Sequence, residues 1–408
     1  MIIIRLTARC DMDNNGNQYS YYQNLYNMFG GYNPIFEERV GKLRRTGFII
    51  GIGMLFFTMM QYVVLLLLKL FGIYDLYCSD PVFEMGISAI APVIYVFLPF
   101  IFVYLLYTPK QKESVDIFNL PKSKELFIFS VLTGLMVCSI GDRAASFVSA
   151  IADLFGADFE GPETSEPSSV IGYILQIIAY AVIPPLVEEF AMRGVVMQPL
   201  RKYGDKFAII VSSVLFAALH GNMAQIPFAF IAGCVLGYFA IVTDSIWTSV
   251  AIHALNNLSA VIISIFYTRN PDASMFFYIA LEGLILAVGA VAFIFFLRTD
   301  RKRLRADKSE IDGKLKYSTV FCTPTIAASL MTALSTSASY TALNSSLGKL
   351  FTAFGVALAA FLLIKGSKKA KNDYRIHPNK MYTVTTVIVV VAAIFILIGI
   401  LMTPVSLQ

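Results

Sequence analysis

The most constraining feature of this sequence is a series of apolar runs about as long as a membrane is thick. A helix needs about twenty mostly apolar residues to cross the hydrocarbon core, and such stretches recur between Phe48 and Pro404. The runs 62–68 and 387–393 are apolar on every face, whereas a membrane β-barrel alternates apolar and polar positions. Because a helix satisfies its own backbone hydrogen bonds in lipid, the sequence predicts an all-α, polytopic transmembrane helix bundle.

The composition agrees, with 57% hydrophobic and 14% charged residues, far from the balance of a soluble domain. We expect about ten or eleven spans. The candidates are residues 48–71, 87–107, 125–150, 170–187, 207–221, 225–243, 246–266, 276–297, 318–342, 347–364 and 383–403. The five cysteines lie far apart and in no metal-binding spacing, so we interpret them as packing residues.

The chain divides into four regions. Residues 12–42 are rich in Asn, Gln, Tyr and Gly, a composition that seldom packs a core, so we predict a disordered N-terminal tail over residues 1–42. N-terminal transmembrane helices follow at 43–165. A catalytic core is predicted at 166–270, and C-terminal transmembrane helices at 271–408.

Lys and Arg in the short loops predict the orientation, because positive charge stays in the cytoplasm. Basic residues at 42–45, 110–124 and 298–316 mark inside loops, and acidic residues at 75–84 and 153–166 mark outside loops. We therefore expect a multi-pass protein of a bacterial plasma membrane with a cytoplasmic N-terminus. Orientation of the helices also explains the net charge of +5, so we expect no nucleic-acid partner.

The Ser-, Thr- and Ala-rich segment 318–342 is the weakest candidate span. A second basic cluster at 365–371 follows it. That cluster lies in the cytoplasm only if 318–342 also crosses the membrane, so the charge pattern predicts that it does.

Three spans contain ionisable groups, which are costly in lipid and ask for a partner or a purpose. The first span carries Glu188, Glu189 and Arg193, the second His220, and the third His253 with Asn257. Glu189 and Arg193 are four apart and are expected to form a structural ion pair. Glu188 is five before Arg193 and lacks that contact, so it remains available as a general base.

The depth of these residues favours a shared site. Glu188, His220 and Asn257 each lie ~20 Å from the predicted inner surface at ~1.5 Å per residue, and His253 shares a helix face with Asn257. The consecutive Pro184 and Pro185 could kink or restart the first helix and shift Glu188.

Less specific interpretations exist for each group. The glutamates could lie on a solvated face, His220 could end a helix, and His253 with Asn257 could be a polar contact between helices. Asn256 or Asn222 could take the role of Asn257.

The three segments read EExxxR, FxxxH and HxxxN in order. This pattern resembles the CAAX protease and bacteriocin-processing family, also described as CAAX prenyl protease or Abi-like, over about residues 184–257. The resemblance implies an eight-helix-like catalytic region and a glutamate-dependent intramembrane endopeptidase. It implies catalytic roles for Glu188 as the base that activates water, for His220 in holding that water, and for His253 and Asn257 on the oxyanion side.

The resemblance further implies a peptide or protein substrate, with or without a lipid, surrounded by membrane lipid, and no cofactor. Two alternatives stay open. One is a zinc protease, in which His220, His253 and a glutamate ligate the metal, although HExxH is absent. The other is a non-catalytic bacteriocin immunity or peptide transport protein. An enzyme site is expected to open towards the cytoplasm.

Overall fold

A computed structural model describes residues 34–113, 119–161, 166–307, 309, 311–343, 346–373 and 380–402. This part of the chain is helical except for one two-stranded ribbon, β1 (Ala157–Phe159) with β2 (Thr341–Leu343), which pair antiparallel. The helices are α1 (Pro34–Leu70), α2 (Tyr74–Ser79), α3 (Pro81–Leu106), α4 (Pro109–Glu113), α5 (Lys124–Leu154), α6 (Val170–Tyr203), α7 (Asp205–His220), α8 (Ile226–Thr243), α9 (Ile246–Arg269), α10 (Pro271–Phe296), α11 (Gly313–Phe321), α12 (Pro324–Ser339), α13 (Ser346–Asp373) and α14 (Lys380–Met402).

These helices confirm the all-α polytopic bundle of an integral membrane protein. Nine of them in the described part of the chain are long and apolar enough to cross a membrane, or ten if the bent pair of α11 and α12 counts as one span. The predicted span that is not among these ten is 207–221. It corresponds to α7, which has only 16 residues and is ~24 Å long. Conversely, α6 extends well past its predicted end at 187.

The predicted N-terminal tail is wrong over its last nine residues. Helix α1 begins at Pro34, because Val40 and Leu43 are fully buried in the main apolar core and Glu38 pairs with Lys42 one turn later. The remainder of that predicted tail, residues 1–33, lies outside the described residues.

The basic loops meet at one end of the bundle, which we call the basic end (residues 34–46, 108–113, 198–206, 244–245, 298–307, 309 and 311–316). Arg39 Nη1 donates to the carbonyl of Ser309 at 3.3 Å, and the Arg305 amide donates to Asp205 Oδ2 at 2.7 Å. Lys316 Nζ donates to the carbonyl of Tyr203 at 3.0 Å. The segments that the charge pattern assigns to one side of the membrane therefore lie together.

The opposite end, the ribbon end (residues 155–161, 166–168, 264–270 and 340–343), carries the β ribbon. Segment 313–339 connects the two ends: Lys316 contacts Tyr203 at the basic end, and Thr341 pairs with Phe159 at the ribbon end. The segment thus runs from one end of the described bundle to the other as two helices bent by 73°, and its crossing of the membrane stays a prediction. Pro324 begins the second helix, where a missing amide hydrogen is tolerated.

Helix α6 passes through Pro184 and Pro185 without a break. A π-helical turn, Ile178–Val182, directly precedes them, and a second one, Phe190–Val196, contains Arg193. Wider turns of this kind occur inside α-helices, frequently at functional sites. The restart considered from the sequence does not occur, because residues 170–203 form one continuous helix.

Candidate active site

The two consecutive glutamates of α6 have different surroundings. The Glu189 side chain is 0% exposed, with its Oε1 3.1 Å from Arg193 Nη1 and 3.0 Å from His253 Nδ1. The Glu188 side chain is 17% exposed, and its Oε2 lies 4.0 Å from His253 Nε2. Glu188 makes no hydrogen bond to another described residue. Only one of the two carboxylates is therefore available to a substrate.

Arg193 is fixed from three sides. Besides the ion pair with Glu189, its Nη2 donates to the carbonyl of Gly233 on α8 at 3.1 Å. Its guanidinium lies 4.5 Å from the centre of the Phe216 ring on α7, a favourable cation–π distance. A β-carbon at Gly233 would come within 2.9 Å of Ser213, so glycine permits the close helix approach that brings this carbonyl to Arg193.

Contacts of the two histidines settle which ring nitrogen carries hydrogen. His220 Nδ1 lies 3.1 Å from the carbonyl oxygen of Phe216, and His253 Nδ1 faces the carboxylate of Glu189. Both partners only accept, so each Nδ1 donates, which leaves Nε2 of both rings for chemistry. Each ring meets the Phe216 ring edge to face, at 5.1 Å for His220 and 5.7 Å for His253.

Asn257 has a structural contact that follows from the double proline. Its Nδ2 donates to the carbonyl of Tyr180 at 2.9 Å. An α-helical or π-helical partner for that carbonyl would be the amide at position 184 or 185, and both residues are proline, which has no amide hydrogen. Asn257 supplies the missing donor and keeps its second amide hydrogen.

The two other asparagines considered from the sequence differ in position. Asn222 is fully buried and bonds the carbonyl of His220 and the side chain of Gln225, both at 3.0 Å. It thereby organises the turn after α7. Asn256 lines the same cavity as Asn257.

A cavity of about 560 Å³ joins these groups. Glu188, His220, His253 and Asn257 all contribute to its wall, together with Phe216. The structure therefore brings together all four residues for which the resemblance implies a catalytic role. Glu189 and Arg193 lie behind the wall.

The cavity does not open at the basic end. Its lining extends to Glu166 and Ser264 at the ribbon end, where the Ser264 hydroxyl donates to Glu166 Oε1 at 2.7 Å. Among the described residues, its wall includes none from the basic end. Because α7 ends at His220 and α8 begins only at Ile226, these short helices leave a space that the longer α9 encloses. The expectation of a site open on the side of the basic loops is wrong.

The zinc alternative requires three protein ligands grouped around one point. Within the described ranges, no three His, Cys, Asp or Glu side chains are grouped so as to hold a metal ion. His253 and Glu188 approach each other, but Glu189 is engaged by Arg193. The residues present do not form the three-ligand set of a catalytic zinc site.

Sequence reasoning missed three parts of this site. It treated Glu189 only as a partner of Arg193, although the same oxygen orients His253. It gave no role to the Phe216 ring or to the Tyr180 carbonyl. A signal existed for Phe216, which precedes His220 by four residues and so shares its helix face.

The segment that contains the site is also similar to known proteins. Residues 170–259 match the family described as "Type II CAAX prenyl endopeptidase Rce1-like". This segment is similar to that family. The resemblance drawn from the three motifs is confirmed over these residues, which span α6 to α9 and all six predicted site residues.

One curated relative is "Putative membrane peptidase YdiL" of Bacillus subtilis (strain 168), 24% identical over 162 residues. The alignment covers 39% of this chain and 62% of that relative. No solved structure gives a significant match. The Rce1-like segment thus occupies the middle of a longer helical bundle.

Proposed function

We propose that this protein is an intramembrane endopeptidase that hydrolyses peptide bonds with Glu188 as the general base. The observation that carries this proposal is the difference in burial and pairing between the two glutamates. Glu189 is buried and neutralised, whereas Glu188 borders a cavity with the free Nε2 of a histidine 4.0 Å away. The match to an endopeptidase family supports the reaction type.

In the proposed reaction, a water held between Glu188 and His220 attacks the scissile carbonyl carbon. Glu188 accepts the water proton and then delivers it to the amide nitrogen, which leaves as the C–N bond breaks. Because water is the nucleophile, no covalent bond forms between the protein and the substrate. The second amide hydrogen of Asn257 donates to the developing oxyanion, and His253 donates from Nε2 when its ring carries both protons. Donors fixed before the reaction stabilise such charge most effectively.

Positioning of these groups is built into the fold. Glu189 holds the His253 ring, and the Phe216 ring supports both histidines. Tyr180 holds the Asn257 amide. A substrate segment would enter the cavity as a peptide or protein chain, with or without a lipid. We further propose that the basic end lies in the cytoplasm of a bacterial cell, which puts the cavity opening on the outer side.

The test compares newly formed peptide termini in membranes that contain wild type or Glu188→Gln at matched abundance. Glu282→Gln is the matched control, because the Glu282 side chain is also 17% exposed in a membrane helix but lies outside the cavity wall. We expect termini that require Glu188 and persist in the control, as mass spectrometry would show. Identical profiles for all three proteins would remove the protease proposal in favour of an immunity or transport role.

A zinc chelator added to the same membranes separates the two hydrolytic mechanisms. A carboxylate-activated water needs no metal, so the wild-type termini should still form. Their loss on chelation and recovery with added zinc would instead assign the reaction to a metal-bound water.

A further inference from the structure

A second cavity, of about 740 Å³, lies at the basic end and shares no residue with the active-site cavity. Its wall combines residues from α1, α4, the end of α6 and the loop after α10. Seven of its lining side chains are Lys or Arg, and two, Glu113 and Asp244, are acidic. The cavity is therefore strongly cationic.

Internal ion pairs neutralise only part of this charge. Two of the lining cations have acidic partners: Arg201 pairs with Asp205 at 2.7 Å, and Lys42 pairs with Glu38. The lining residue Asp244 pairs with Lys302, which does not line the cavity. Within the described part of the chain, four further lining cations have no carboxylate within 4.0 Å: Arg45, Lys110, Lys202 and Arg305.

The fold, rather than loose surface side chains, brings these cations together. Asp205 binds Arg201 and also accepts from the Arg305 amide, which joins α7 to the loop after α10. Gln111 Nε2 donates to Thr46 Oγ1 at 3.1 Å, which joins α4 to α1. The walls are thus cross-linked by hydrogen bonds, and the like charges that they carry repel each other unless an anion enters.

We propose that this cavity binds the phosphate group of an anionic ligand, either a phospholipid headgroup or free phosphate. Lys and Arg are the usual partners of phosphate oxygens. The cavity lies at the ends of α1 and α6, which are long and apolar enough to cross a membrane, and basic pockets between helix ends are suited to anionic headgroups. Such binding would tie α1, α4 and α6 together and is separate from the proposed proteolysis.

The experiment uses the purified full-length protein in a neutral detergent and measures binding by thermophoresis. Three probes are titrated: dihexanoyl-phosphatidylglycerol, dihexanoyl-phosphatidylcholine and inorganic phosphate. The cavity variant combines Arg45→Gln, Lys110→Gln and Lys202→Gln. A control variant removes three exposed cations near the same end that do not line the cavity: Lys122→Gln, Arg303→Gln and Lys314→Gln.

We expect saturable binding of phosphatidylglycerol, weakened at least about tenfold in the cavity variant and less than about twofold in the control. Phosphatidylcholine, which carries no net charge, should bind more weakly than phosphatidylglycerol. Inorganic phosphate that binds as tightly as phosphatidylglycerol, with the same sensitivity to the cavity variant, would identify free phosphate as the ligand of the proposed site.

Two results would overturn the proposal. One is a wild-type protein that binds neither phosphatidylglycerol nor phosphate saturably. The other is equal weakening by the two triple variants, which would mean that only surface charge matters. If the cavity variant does not elute as a folded species, Lys110→Gln and Lys202→Gln are tested singly. Each should weaken binding about threefold, and unchanged binding in both would count against the site.

Discussion

Replacing Arg193 by methionine tests how the buried charges of the active site are balanced. The Arg193 and Glu189 side chains are both 0% exposed and their charged atoms are 3.1 Å apart. Methionine keeps an unbranched apolar side chain but removes the ion pair, the hydrogen bond to Gly233 and the cation–π contact with Phe216. Glu189 is then left as a buried charge without an arginine partner, and it keeps the hydrogen bond from His253 Nδ1.

Breaking a buried ion pair by removing one partner costs about 3–5 kcal/mol. Removing both charges is far less costly, because no charge is left buried alone. We therefore expect Arg193→Met to lower the free energy of unfolding by about 3–5 kcal/mol. The double variant Glu189→Gln/Arg193→Met should lose less than the single variant, since a glutamine oxygen can still accept from His253.

Equilibrium unfolding in mixed micelles with increasing sodium dodecyl sulfate measures these changes, with helix content as the signal. Glu282→Gln serves as a control, because the Arg143–Glu282 pair is partly solvated and should contribute about 1 kcal/mol or less. The reasoning would be refuted if Arg193→Met lost less than about 1 kcal/mol, or if the double variant were less stable than Arg193→Met.

Three further predictions address the oxyanion donor, the basic end and the orientation. On the substrate that the new termini identify, Asn257→Ala should lower kcat about 10²–10³-fold, whereas Asn256→Ala should change it less than about threefold; equal losses would assign no special role to Asn257. Burial opposes ionisation of Asp307, but hydrogen bonds from Lys316 and Ser309 outweigh it and hold the pKa of this carboxyl below its usual value. Its stabilisation is therefore present above about pH 4 and lost as pH falls below that, so the difference in thermal midpoint between wild type and Asp307→Asn should shrink between pH 7 and pH 3; a constant difference would contradict this. In a background without native cysteines, Ser168→Cys at the ribbon end should react with an impermeant maleimide in intact cells, whereas Lys314→Cys at the basic end should react only after permeabilisation; the reverse pattern would invert the proposed orientation.

The sequence was sufficient for the helical bundle and for the four polar side chains of the cavity, but not for the groups that support them. Apolar runs of membrane length are stable in lipid only as helices or in a closed barrel, so the membrane-length helices were predictable, although the start of α1 and the end of α6 were not. Glu188, His220 and His253 stood out because ionisable groups are rare within spans. Similar distances from the predicted inner surface placed Glu188, His220 and Asn257 at one depth, and the structure brings these residues and His253 to one cavity.

The features that could not be predicted from the sequence depend on packing between distant segments. Helix α1 starts early because Val40 and Leu43 are buried, a tertiary effect that composition does not show. The direction in which the cavity opens depends on α7 and α8 being shorter than α9, and apolar runs predict lengths only approximately.

The double proline connects the shape of α6 with the chemistry of the site. Two prolines remove both amides that could bond the Tyr180 carbonyl, and Asn257 from α9 replaces them. The contact draws α9 against the π turn of α6 and holds its asparagine amide beside the cavity. An asparagine at this position is therefore explained by helix packing alone, and its presence adds little to the case for catalysis. The proposed catalysis depends on Glu188, the carboxylate of the motif that faces the cavity and has no Lys or Arg partner among the described residues.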